Sequence, residues 1–218
     1  MRIQKFCLTL IFIAFSILCF SQSADTVRVE KKSSNLSASY NSSIIYPGAR
    51  IGIELPVETI SITKTKESGK TKEFVKDRFV TANLSWYHHP AFHDNCYLTV
   101  GWTMRRTKQS GFVTEFSPEI GLSRTFLGGT TYKVDDSGNV TIKKDAGYYY
   151  ALVSIGGGIG YDFSIKKHKP LLIFSKCNVF MMFPYNSTIY LRPTIELGLV
   201  YKPLNFLCMK VKSKHRKR

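Results

Sequence analysis

From Asn35 to Tyr201, apolar and polar residues alternate one for one in runs of strand length, separated by turn-forming residues. The last run is the clearest. Ile189, Leu191, Pro193, Ile195, Leu197, Leu199 and Tyr201 fall on one face, and Tyr190, Arg192, Thr194, Glu196, Gly198 and Val200 on the other. Successive strand side chains point to opposite faces, so each run carries one apolar and one polar surface. The pattern predicts eight strands, near 35–45, 49–63, 74–88, 95–107, 112–127, 147–165, 170–183 and 187–203. Two fit less well: the stretch from Leu171 to Phe183 is apolar on both sides, and the first run alternates only through Leu36, Ala38 and Tyr40.

The fold class that follows is all-β, a closed antiparallel up-and-down barrel of about eight strands. Alternation alone does not say which face points inward, and a soluble barrel would show the same pattern. Three details favour a transmembrane β-barrel with the apolar face outward. Aromatic residues sit at strand ends on that face (Trp86, Phe112, Phe126, Phe163, Phe183, Tyr201), as in an interfacial girdle. The polar face carries charges of both signs, Glu54, Arg105, Glu115, Glu119, Asp162, Lys176, Arg192 and Glu196, which are expected to neutralise one another in a lumen network. Glycines such as Gly156, Gly158 and Gly160 share that face, as a lumen barely wide enough for side chains requires. Pro56, Pro118 and Pro193 fall inside predicted strands and are expected at bulges or rims.

Residues 1–21 read as a cleaved signal peptide: Arg2 and Lys5 precede an apolar run from Phe6 to Phe20, shorter than the roughly 20 residues of a spanning helix, with Ser21 and Ser23 after it. The expected organisation continues with a short N-terminal segment at 22–34, the barrel at 35–204, and a basic periplasmic tail at 205–218. The net charge of +16 raises the question of nucleic acid, but six of the basic residues lie in the run from Lys210 to Arg218 and most others in short turns, without any recognition motif. No nucleic-acid partner is expected. Cys96, Cys177 and Cys208 fit neither a disulfide framework nor a metal site, and no cofactor is implied.

The stretches Tyr46-Pro47-Gly48 and Gly158-Ile159-Gly160-Tyr161-Asp162-Phe163, with Glu196, Gly198 and Tyr201 in the last strand, resemble the small eight-stranded outer-membrane β-barrel proteins of Gram-negative bacteria. The resemblance covers nearly all of the chain beyond the leader; Pro203 departs from it where such strands end on an aromatic residue. It implies a bacterial outer-membrane location, contact with outer-membrane lipids and lipopolysaccharide, and insertion by the barrel-assembly machinery. An even strand number puts both chain ends in the periplasm and the 128–147 loop outside, where Tyr132–Val134 and Val140–Ile142 would form a hairpin arm for a surface partner.

The densest candidate chemistry is His88, His89, His93 and Asp94 in one outer loop. Three histidines and a carboxylate suit a transition metal by type, but match no standard ligand spacing. With Ser85 they also imitate a hydrolytic set. The function expected from the sequence is a structural or surface-interaction role without a catalytic site. A lipid-modifying or proteolytic outer-membrane enzyme and a soluble lipocalin-like lipid-binding barrel are the alternatives.

Overall fold

The structure is a computed structural model that describes residues 26–43, 46–65, 71–90, 92–185 and 188–217. The signal-peptide reading therefore lies outside the described residues. The strands are β1 (Thr26–Lys32), β2 (Asn35–Ser42), β3 (Gly48–Thr65), β4 (Thr71–His89), β5 (His93–Lys108), β6 (Phe112–Leu127), β7 (Tyr132–Val134), β8 (Val140–Ile142), β9 (Tyr149–Asp162), β10 (Leu171–Tyr185), β11 (Thr188–Tyr201) and β12 (Met209–Lys217), with one short helix, α1 (Phe163–Lys167).

Eight strands close a ring. β2 through β6 pair in succession, β6 pairs with β9, β9 with β10, β10 with β11, and β11 returns to β2, every pair antiparallel. These are the eight strands of the alternating pattern. The β7–β8 hairpin stands in the loop between β6 and β9 and marks one end of the barrel; the described ends, Thr26 of β1 and Lys217 of β12, lie at the other.

Burial follows the alternation with the apolar face outward. Along β5, Leu98 and Val100 are exposed, while Thr99 and Thr103 are buried; along β11, Ile195 and Leu197 are exposed around a buried Glu196. A soluble protein buries such aliphatic side chains because each is worth about 1.5–3 kcal/mol. Here each ring strand exposes aliphatic side chains on its outer face, the distribution that hydrocarbon outside the barrel requires.

The lumen is layered. At the hairpin end Tyr87, Tyr97, Tyr150, Leu152, Phe180 and Met182 form a buried cluster; at the opposite end Val113, Leu172, Phe174 and Val200 form a second. The run in β10 that is apolar on both sides thus contributes to both plugs, and Arg50, Glu54, Arg105, Glu115, Glu119, Lys176 and Glu196 lie between them.

The prolines sit where the ladders tolerate them. The β3–β4 register shifts between Pro56 and Glu58, a bulge that turns Glu58 outward. The β5–β6 ladder skips Trp102 and Thr103, opposite Pro118 and Ser117. Pro193 lies beyond Ile195↔Ser42, the last pair of the β11–β2 ladder among the described residues.

Three local expectations are corrected. The chain after Asp162 leaves the ladder as α1 instead of continuing as strand through Phe163, because the Asp162 side chain accepts from the Ser164 N–H at 3.0 Å and caps the helix. His168 in the left-handed region, φ 53°, ends it. Residues 22–34 and 205–218 are not merely a segment and a tail: β1 and β12 are strands paired antiparallel, from Thr26↔His215 to Lys32↔Met209. β12 also runs parallel to β3 from Lys212↔Glu58 to Lys217↔Thr63. The physical reason is the length of β3, whose ladder with β2 stops at Asn35↔Glu54 and leaves the following backbone groups to find another partner. Lys214 and Arg78 meet Glu58 on the outward side at 2.9 and 2.6 Å. Ser34 seals the junction through its N–H to the Phe206 carbonyl and its hydroxyl to the Leu207 carbonyl.

Candidate functional site

The middle layer of the lumen holds two sets of buried ion pairs. Arg105 on β5 holds Glu54 on β3 in a two-pronged pair, Nη1–Oε2 2.8 Å and Nη2–Oε1 2.5 Å, and donates from Nε to Glu115 Oε2 at 2.7 Å. Lys176 on β10 closes on the other oxygen of Glu115. Arg50 on β3 holds Glu119 on β6 and stands 3.9 Å from Glu196 on β11, which also accepts from Ser39 at 2.6 Å and Asn178 at 3.0 Å. Buried charges survive only when paired and hydrogen-bonded, and these satisfy one another around the ring.

Glu54, Arg105, Glu115, Glu119, Lys176 and Glu196 are thereby brought together on the inner side. Arg50 belongs with them and was missed, although it has the same strand parity as Gly52 and Glu54. Two expected members stand apart. Asp162 is at the end near the chain termini, where it caps α1 and pairs with Lys202. Arg192 is buried at the hairpin end, 2% exposed, with no ion pair among the described residues and no hydrogen bond at any of its three nitrogens. Its guanidinium carbon lies 3.4 Å from the centre of the Tyr87 ring. Glu196, four positions along the same strand, does not pair with it; that carboxylate is engaged by Arg50, Ser39 and Asn178.

The four residues of the β4–β5 rim are split between the two faces. His88 and Asp94 pair at 2.7 Å and are both exposed, whereas Ser85 is buried on the inner side. His89 and His93 sit in the mouth with ring centroids 5.0 Å apart; His89 stacks on Tyr46 at 4.0 Å, and His93 Nε2 is 3.3 Å from the Tyr87 hydroxyl. Among the described residues no three histidine, cysteine or carboxylate side chains converge to hold a metal. The mouth encloses a cavity of about 280 Å³ whose walls include Tyr46, Tyr87, His93, Tyr148, Tyr190 and Arg192.

Solved structures similar to this one include the following two. One is the N-terminal β-barrel domain of Pseudomonas aeruginosa OprF, at 12% identity and TM-score 0.40, covering 79% of this chain and 98% of that one. The other is Neisserial surface protein A (NspA), at 11% identity and TM-score 0.40, covering 83% of this chain and 100% of that one. No family model and no curated protein matches the sequence.

Proposed function

We propose that this chain is an outer-membrane β-barrel, exported by a leader that is removed, with a structural or surface-contact role and no catalytic activity. One observation carries the reading: the exposed aliphatic side chains lie on the outside of the ring, and the buried charges lie inside it. A soluble lipid-binding barrel needs the opposite arrangement, with an apolar interior free to receive the lipid. The β7–β8 arm reaches beyond the barrel with Tyr132, Val134, Val140 and Ile142 all exposed, and it is the surface offered to a partner.

Fractionation tests the location. The protein should stay with the outer membrane and need detergent for release; recovery in the soluble fraction overturns the proposal. Alanine at His88, His89 and His93 should leave lipid A structure and envelope proteolysis unchanged. A change in either would move the protein to the enzymatic alternative.

A further inference from the structure

The hairpin-end cavity is lined by a cation that no carboxylate among the described residues neutralises. Every other buried arginine or lysine of the lumen that enters an ion pair meets at least one carboxylate: Arg50 meets Glu119, Arg105 meets Glu54 and Glu115, and Lys176 meets Glu115. Among the described residues Arg192 meets none, and its Nε and both Nη atoms lack an acceptor. Stacking on Tyr87 engages the face of the guanidinium but leaves its N–H groups, which lie in the plane, unsatisfied. An unpaired buried charge is strongly destabilising, so its retention beside a cavity calls for an acceptor from outside the chain. A guanidinium fork matches an oxyanion, carboxylate or phosphate, with two parallel hydrogen bonds.

The rest of the wall indicates what carries that oxyanion. Tyr46, Tyr148 and Tyr190 surround the mouth with aromatic surface, His89 stacks on Tyr46, and Asn95 and Thr125 add side-chain polar groups to the lining. Tyr148 is 59% exposed and Tyr190 38% exposed, so the cavity communicates with solvent at the hairpin end. A volume of about 280 Å³ holds a small molecule and not a polymer. We propose that this cavity binds a small ring-bearing oxyanion, its carboxylate or phosphate held by Arg192 and its ring packed among the mouth tyrosines.

The test uses the purified, folded barrel in detergent micelles, with benzoate and phenyl phosphate as probes and benzyl alcohol as the uncharged control. Binding is followed by calorimetry and by chemical shifts of the mouth residues. At least one anion should bind saturably and benzyl alcohol should not; the tighter anion identifies the oxyanion. R192M should weaken that binding about 10- to 100-fold, the loss expected for hydrogen bonds to a charged group. R192K keeps the charge without the fork and should fall between the two. R192M should also melt no lower than the native protein, because it removes a charge that no carboxylate among the described residues compensates. Failure of both anions to bind, or equal binding by native protein and R192M, overturns the proposal. Should R192M not fold, native-strength binding by both R192K and Y148A does the same.

Discussion

Arg50 and Glu119 face each other across the lumen from strands that are not neighbours, with Nη2 2.5 Å from both carboxylate oxygens. The same guanidinium lies 3.9 Å from Glu196, so one cation serves two carboxylates. Arg50→Met should therefore cost about 3–5 kcal/mol, as removal of one partner from a buried pair does. Thermal unfolding in micelles measures it. The double replacement R50M/E119Q should recover part of the loss, and additive losses would mean that the two residues do not act as a pair.

The ion pairs were only half legible in the sequence. Strand parity placed Glu54, Arg105, Glu115, Glu119, Lys176 and Glu196 on one face, because alternation is local. Partnership is not local: Arg50 and Glu119 lie far apart along the chain and meet only once the ring closes. Parity also grouped Arg192 with Glu196 on one strand, although Arg192 turns to Tyr87 at the hairpin end and Glu196 to Arg50, Ser39 and Asn178. The strand β12 reads only as a basic tail in the sequence, because lysines at every second position from Lys210 to Lys214 also read as solvated charge. What settles it is the unpaired stretch of β3, which no inspection of residues 205–218 reveals.

The lumen glycines make a sharp steric test. A Cβ on Gly121 would lie 2.1 Å from the Leu98 carbonyl oxygen, a backbone atom that cannot move aside without opening the β5–β6 ladder. Gly157, on the outward face of β9, has its nearest such neighbour at 3.9 Å. G121A should fail to yield a folded barrel or melt far lower, whereas G157A should melt within about 0.5 kcal/mol of the native protein, the range usual for surface substitutions.

The tip of the β7–β8 arm should respond to acid. Asp135 accepts from the Asn139 N–H at 2.7 Å, from the Asn139 side chain at 3.1 Å and from the Ser137 N–H at 3.0 Å, which together hold its carboxyl below the ordinary value of 3.8. A lowered pKa means that the ionised form favours the ordered turn. The turn should therefore keep its full stability above pH 3.8 and lose it as the pH falls through the depressed value. Amide shifts of Ser137 and Asn139 report this. D135A should abolish the pH dependence, and a transition near neutral pH would contradict the assignment.

The barrel should not conduct. Eight strands leave an interior just wide enough for side chains, and here an apolar plug at each end brackets the ion pairs. Purified protein in planar bilayers should show no steady current, and a reproducible open level would contradict the packing of Phe180 and Leu172.

Orientation follows from the even strand number. An epitope inserted after Ser137, in an exposed loop tip, should bind antibody on intact cells. An epitope after Arg218 should be reached only once the outer membrane is opened, and the reverse labelling would invert the topology.

The reach of Arg105 to Glu54 and Glu115 has a consequence for how the ring chooses its stagger. A strand that slips by one residue exposes its polar face to hydrocarbon, but a slip of two residues keeps every apolar side chain outward. Alternation is therefore blind to registers that differ by two. Such a slip moves a side chain about 7 Å along the barrel, more than twice the length of a hydrogen bond, so Arg105 would lose one carboxylate or the other. Stagger fixes the tilt and girth of a closed sheet, and the charges inside this barrel thus set the dimensions of the surface it presents outside.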